Sequence, residues 1–175
     1  MQPCLNLKEY VRDIHDFPLP GILFRDITTV LKDPVALRGA IDAMVECAND
    51  LAFDAILGPE SRGFIFGVPM AYTMGKGFVP VRKAGKLPAE VAHKEYALEY
   101  GTATIEIHRD AVQQGQRFII VDDLLATGGT ANAVCELVKA LGGEVVAQIY
   151  FIELSGLGGR DKLAGHDVRA ILVYK

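Results

Sequence analysis

The sequence predicts an α/β domain with a mainly parallel central sheet flanked by helices. Short apolar stretches of strand length alternate with stretches of helical periodicity, which is the pattern of repeated strand–helix–strand units. One continuous apolar strand, Arg117–Val121, also runs directly into a glycine-rich turn followed by a helix. With 175 residues, half of them apolar, the chain suits a single domain, 1–175, built on one core.

Asn6 and Glu9 have the spacing of a capping box, which predicts a short helix over Leu7–Ile14. Pro18, Pro20 and Gly21 then force an irregular turn before the apolar-charged stretch Ile22–Ile27. Asp33-Pro34 reads as an N-cap followed by proline in the first turn. In the helix that follows, Leu37, Ile41, Met44, Val45 and Ala48 share one face. Asp54–Leu57 is a short buried strand ending at Gly58-Pro59, and a helix over Arg62–Met74 leads to the strand Phe78–Arg82. Lys83 to Tyr100 lacks periodicity and carries Gly85, Pro88 and several charges, so it reads as a functional loop. Ala103, Ile105 and Ile107 alternate with polar residues, as in a half-exposed strand. After Arg117–Val121, a helix over Thr130–Leu141 closes at Gly142-Gly143. Glu144–Ile152 and Arg169–Tyr174 supply the last strands.

The net charge of −4 and the absence of a basic block argue against nucleic acid as a partner. Arg82, Lys83 and Lys86 form a local cationic cluster that suits a small anion instead. No apolar run approaches the ~20 residues of a membrane span. The first residues also lack a basic stretch leading into an apolar one. A soluble, cytoplasmic protein is therefore expected. Cys4, Cys47 and Cys135 are widely spaced with no CxxC pair, which predicts reduced thiols, with Cys47 and Cys135 in core packing. His15, His93, His108 and His166 are too scattered for a zinc site.

The stretch Ile119-Ile120-Val121-Asp122-Asp123-Leu124-Leu125-Ala126-Thr127-Gly128-Gly129-Thr130 carries the chemistry. A buried strand delivers two carboxylates to the C-terminal edge of the sheet, where open α/β folds bind ligands. Glycines let several backbone N–H groups converge, Thr127 and Thr130 add hydroxyls, and the helix end adds its positive pole. Those donors suit a phosphate monoester. Asp122 and Asp123 would repel that phosphate, so they suit vicinal hydroxyls or a metal that bridges to them. Phosphate on one side and a diol on the other describe a ribose 5-phosphate. Neither a P-loop nor a dinucleotide fingerprint is present.

This string resembles the signature of the type I phosphoribosyltransferases, which bind phosphoribosyl diphosphate. Further segments resemble the members of that family that act on adenine, from about Leu7 to Tyr174. They are Phe24–Ile27, Ser61–Phe64, Arg82-Lys83 with Gly85–Pro88, and Leu98–Gly101. The resemblance implies the type I phosphoribosyltransferase fold, with a small hood over about 1–30 and a mobile loop over about 83–101. It also implies a reaction: adenine and phosphoribosyl diphosphate give AMP and diphosphate, a purine-salvage step. Mg²⁺ is the implied cofactor, held through the phosphoribosyl diphosphate rather than by protein ligands.

Carried residue by residue, the resemblance assigns Ala126, Thr127, Gly128, Gly129 and Thr130 to the 5-phosphate and Asp122 with Asp123 to the ribose. Arg62, Arg82, Lys83 and Lys86 match positions that meet the diphosphate. Leu23, Phe24 and Arg25 match one wall of the adenine pocket, and Leu154 the opposite wall. Glu99 and Tyr100, with Arg62, match the catalytic group. A homodimer is implied, with Arg82 and Lys83 near the subunit boundary. The Glu60–Ser61 bond is implied to be a strained non-proline peptide, and Pro59 departs from the small or aliphatic residue more usual there. The segment Ala89–Ala97 also varies from the family pattern.

Two rival readings exist. A 6-oxopurine enzyme of the same family usually has an acidic residue where Ala126 stands. A regulatory protein that senses phosphoribosyl diphosphate resembles this fold joined to an N-terminal DNA-binding domain, and only about twenty residues precede Leu23.

Overall fold

The computed structural model describes residues 5–97 and 101–175. It divides into two compact units, Met1–Ala43 and Met44–Lys175. No helix of the described residues is long and apolar enough to cross a membrane.

In the first unit, Leu7–Tyr10 forms a single 3-10 turn rather than a helix reaching Ile14. The Asn6 and Glu9 side chains do meet, at 2.8 Å, but Asn6 caps no backbone N–H. The residues that follow leave the helix because they pair elsewhere. Strand β1 (Arg12–His15) runs antiparallel to β2 (Leu23–Asp26), with Arg12 opposite Asp26 and Asp13 opposite Arg25. Both facing pairs are ion pairs, a cross-strand arrangement that stabilises the hairpin. Burial raises the Asp26 carboxyl, but the Thr28 N–H and the Arg12 guanidinium outweigh it and hold the group below its ordinary value. A short helix α1 (Thr28–Lys32) leads to α2 (Pro34–Ala48). Asp33 caps α2 as its sequence requires, Oδ1 accepting the N–H groups of Val35 and Ala36 at 2.9 Å each.

The second unit is a seven-stranded sheet. Chain order gives β3 (Ala55–Pro59), α3 (Arg62–Met74), β4 (Gly77–Lys83), β5 (Val91–Ala97) and β6 (Thr102–His108). There follow β7 (Arg117–Leu125), α4 (Gly129–Ala140), β8 (Glu144–Leu154), α5 (Gly159–Lys162) and β9 (Val168–Tyr174). The spatial order is β5-β6-β4-β3-β7-β8-β9. β4, β3, β7, β8 and β9 are parallel, and β6 and β5 are added antiparallel at one edge. The chain moves outward from β3 to β4 on one side and from β7 to β8 on the other. The strand order therefore reverses between β3 and β7, and a crevice opens at their C-terminal ends.

Phe118, Ile119, Ile120 and Val121 are fully buried at the centre of the sheet. Val134 and Val138 of α4 pack on one face with Leu57 and Ile120. Phe66 of α3 stacks on Phe151 at 5.2 Å. Cys135 is buried, and Cys47 is half-buried.

Strand β5 lies within the stretch that hydropathy leaves as a loop. Its inward face is Ala92, Lys94 and Tyr96, whose small size, aliphatic stem and phenol do not register as apolar alternation. Pairing with β6 along its whole length supplies the backbone hydrogen bonds that side-chain pattern does not announce.

Candidate active site

Three strand ends and two helix starts converge at the crevice. β3 ends at Pro59, the Glu60–Ser61 peptide is cis, and α3 begins at Arg62. β4 ends with Arg82 and Lys83, and β7 carries Asp122 and Asp123 into the turn that opens α4. Together they line a cavity of about 450 Å³ that Arg62, Arg82, Lys83, Asp122, Asp123, Ala126 and Thr130 all reach. A smaller hollow of about 100 Å³ lies against the turn itself, lined by residues 124–131 with Asp122 and Tyr150.

Close approach of backbone makes this possible. A Cβ on Gly63 would lie 2.9 Å from the Val121 carbonyl oxygen, so only glycine lets α3 start so near the end of β7. Gly128 has φ +75°, and a Cβ there would lie 2.8 Å from the Gly159 carbonyl oxygen. The turn is thus braced from behind by α5. α5 is held in turn by Arg160, whose Nε and Nη2 donate to the two Glu153 oxygens at 2.7 and 2.8 Å.

Two arginines of the cavity are paired with carboxylates. Arg62 Nε lies 2.7 Å from Asp123 Oδ2. Arg82 is ion-paired with Glu60 and stands over the Phe64 ring at 5.9 Å. Burial, then the adjacent Asp123 charge, raises the Asp122 carboxyl well above the ordinary range, with Arg62 only partly offsetting them. Burial also raises Asp123, against the pull of Arg62. For Glu60, burial is outweighed by Arg82, the Lys83 N–H and the charges of both residues, so its carboxyl lies below the ordinary value. The result is a corner of two adjacent buried carboxyls beside a cationic rim.

Lys86 is exposed between β4 and β5 and lines neither hollow. Leu154 ends β8, half-buried, and also lines neither. Leu23, Phe24 and Arg25 form most of β2 in the first unit, where Phe24 meets Phe17 edge-on at 5.2 Å. Glu99 and Tyr100 lie outside the described residues.

Glu60 and Tyr96 also bring polar groups to the cavity, and neither is expected there from the sequence. Glu60 was hidden because only the fold brings it to Arg82, 22 positions away. Tyr96 lines the cavity, and its hydroxyl lies 3.0 Å from Thr130 Oγ1. Its alternation with Lys94 was the one available signal. Among the described residues, no group of three His, Cys, Asp or Glu gathers to hold a metal ion.

A sheet whose strand order reverses beside a glycine-rich turn, with paired acids before it and cations opposite, is the architecture of the phosphoribosyl-binding class. The chain belongs to the phosphoribosyl transferase domain family, whose model matches residues 26–170. Its relatives are more specific. It is 58% identical over 169 residues to the adenine phosphoribosyltransferase of Lachnoclostridium phytofermentans, covering 97% of each chain. It is 55% identical over 170 residues to that of Thermotoga maritima, covering 97% of this chain and 98% of the other.

Among solved structures, the adenine phosphoribosyltransferase of Thermoanaerobacter pseudethanolicus matches with a TM-score of 0.94 and 52% identity, over 98% of this chain and all of that one. The enzyme from Saccharomyces cerevisiae, complexed with adenine and an imino-altritol bisphosphate, matches with a TM-score of 0.87 and 41% identity over 94% and 96% of the chains.

Proposed function

We propose that this chain transfers the 5-phosphoribosyl group of phosphoribosyl diphosphate to adenine, giving AMP and diphosphate. The observation that carries the reading is the shared cavity. The turn's ends Ala126 and Thr130, the carboxylates of Asp122 and Asp123, and the cations Arg62, Arg82 and Lys83 border one space of about 450 Å³. The rest of the turn lines a hollow of about 100 Å³ that shares Asp122, Ala126 and Thr130 with it. A phosphorylated sugar bearing a polyanionic leaving group needs these three chemistries side by side.

In this reading the turn N–H groups and the hydroxyls of Thr127 and Thr130 hold the 5-phosphate, and Asp122 and Asp123 accept from the ribose hydroxyls. The bond from C1 of the ribose to the diphosphate oxygen breaks as adenine N9 bonds to C1, and the N9 proton leaves. Positive charge develops on the sugar, as in glycoside cleavage. Arg62, Arg82, Lys83 and Lys86 stabilise the departing diphosphate electrostatically.

Mg²⁺ would be held through the phosphoribosyl diphosphate rather than by protein ligands, and Asp122 and Asp123 fit it by holding the ribose hydroxyls to which such an ion bridges. Mg²⁺, when bound, neutralises charge on the diphosphate. Glu99 takes the N9 proton, with Tyr100 beside it in sequence. Leu23, Phe24, Arg25 and Leu154 supply the contacts to the base. The working form in this reading is a cytoplasmic homodimer, which light scattering of the purified chain checks directly.

Ala126 favours adenine over a 6-oxopurine, because it offers no carboxylate to work on an oxo-substituted ring. The test is turnover of both bases with phosphoribosyl diphosphate and Mg²⁺. Adenine is consumed and diphosphate released, whereas hypoxanthine is left. Preference for hypoxanthine overturns the choice of base, and no diphosphate release with either base overturns the activity.

A further inference from the structure

The edge strand β5 is fastened to α4 by side chains of a single face. Lys94 Nζ pairs with Glu136 Oε2 at 2.6 Å, and two residues on Tyr96 meets Thr130 at 3.0 Å. The first pair is exposed on both sides. Exposed ion pairs restrain little. The second is half-buried in the cavity, and the end of β5 lies in van der Waals reach of the turn. A Cβ on Gly129 would lie 3.6 Å from Tyr96 Cδ2 and 3.5 Å from the Ala97 carbonyl oxygen. The end of β5 therefore rests on the same turn that is assigned to the phosphate.

The Tyr96–Thr130 contact joins two hydroxyls, and either can donate. A hydroxyl has one hydrogen and two acceptor sites. A phosphate in the turn takes the hydrogen of Thr130, which leaves Thr130 Oγ1 to accept from Tyr96. The chain Tyr96 O–H to Thr130 O–H to phosphate oxygen then has one direction, and each bond in such a chain polarises the next. With this direction fixed, the tyrosine is held more firmly, and β5 with it.

Resting on the function proposed above, we infer that Tyr96 is a positioning residue. It couples an occupied phosphate turn to strand β5, so that binding of the sugar phosphate orders this edge of the sheet for transfer. Tyr96 touches neither the breaking nor the forming bond. Its effect passes through Thr130.

The experiment is hydrogen exchange with and without saturating ribose 5-phosphate, on the unaltered chain and on Tyr96→Phe, together with steady-state turnover. In the unaltered chain, ribose 5-phosphate slows exchange of the amides at 91–97. The expected factor is about five to ten, the size of one net hydrogen bond. In Tyr96→Phe the sugar phosphate still binds, this slowing falls below about twofold, and kcat drops about five- to tenfold with KM for adenine little changed, by the same yardstick.

Retained slowing, or unchanged kcat, in Tyr96→Phe overturns the proposal. So does ribose 5-phosphate that binds the unaltered chain without slowing exchange at 91–97. Failure of ribose 5-phosphate to bind the unaltered chain would instead remove the assignment of the turn. If Tyr96→Phe proves unstable, Thr130→Val deletes the same bond from its other end together with the hydroxyl's own contact to the phosphate, and Thr130→Ser restores both, so exchange is compared at ribose 5-phosphate that saturates each variant. Loss of the slowing in the valine variant and its return in the serine variant are then expected, and the same slowing in both overturns the proposal.

Discussion

Arg62 Nε lies 2.7 Å from Asp123 Oδ2, so one guanidinium stands between a buried carboxylate and the open cavity. Asp123 is held at the end of β7, whereas Arg62 is half exposed at the start of α3. The arginine is therefore the movable partner. A diphosphate that meets Arg62 also meets the neighbour of Asp123, and the two anions share one cation.

Arg62→Ala is expected to raise KM for phosphoribosyl diphosphate and lower kcat, by about 10- to 100-fold in kcat/KM, the range of a charge-assisted hydrogen bond. Arg62→Lys is expected to recover little, because a point charge does not reproduce the planar fork. Steady-state kinetics of both variants check this, and full recovery by lysine would show that only charge matters.

Asp122 gives a pH dependence with a definite sign. Burial and Asp123 raise its carboxyl in the folded chain, so the folded state holds a proton that the unfolded state has already released. Stability contributed at this position is therefore present below the ordinary carboxylate range and is lost as pH rises through the raised value. Asp122→Asn is expected to raise Tm at neutral pH by roughly 2–4 °C, the shift that about 1 kcal/mol gives a domain of this size. The advantage should vanish on acidification, and ribose binding should suffer. Thermal melts at several pH values measure it, and a lower Tm at neutral pH would contradict the burial argument.

Gly128 needs both its conformation and its lack of a side chain. Gly128→Ala is expected to cost about 1–3 kcal/mol from the left-handed backbone alone. Its contact with the Gly159 carbonyl adds to that and displaces the turn, raising KM for phosphoribosyl diphosphate. Gly165 has φ +91° with nothing within 4 Å of its Cβ position, so Gly165→Ala is the control. It should lose stability with KM unchanged. Equal KM in the two variants would show that the turn tolerates displacement.

Glu99→Gln is expected to lower turnover while leaving the affinity for phosphoribosyl diphosphate nearly unchanged, since the amide keeps the size and loses the basicity. Isothermal titration and turnover separate the two effects. Unchanged turnover would mean that the proton leaves N9 by another route.

Most of the longer helices were legible in the sequence because their signals are local. α3 begins at Arg62 and ends at Met74, where Gly75 takes a left-handed cap. α2 begins where Asp33 caps it, and α4 begins one residue before the expected Thr130. The two misread segments failed for one reason. Leu7–Ile14 has a helical capping pair and Lys83–Tyr100 has no period, but both strands in them are edge strands. Their pairing partners lie several to many residues away, in β2 and in β6.

The sequence by itself determined the make-up of the turn proposed to hold the phosphate. Strand, paired acids, glycines and hydroxyls are contiguous from Ile119 to Thr130, so their order along the chain is already their order in space. The tertiary structure alone decided which distant charges meet. Asp123 finds Arg62 across 61 positions, Glu60 finds Arg82, and Tyr96 finds Thr130 from an edge strand that hydropathy does not reveal. Such pairs depend on strand order and register, which long-range hydrogen bonding and burial set and no local pattern encodes.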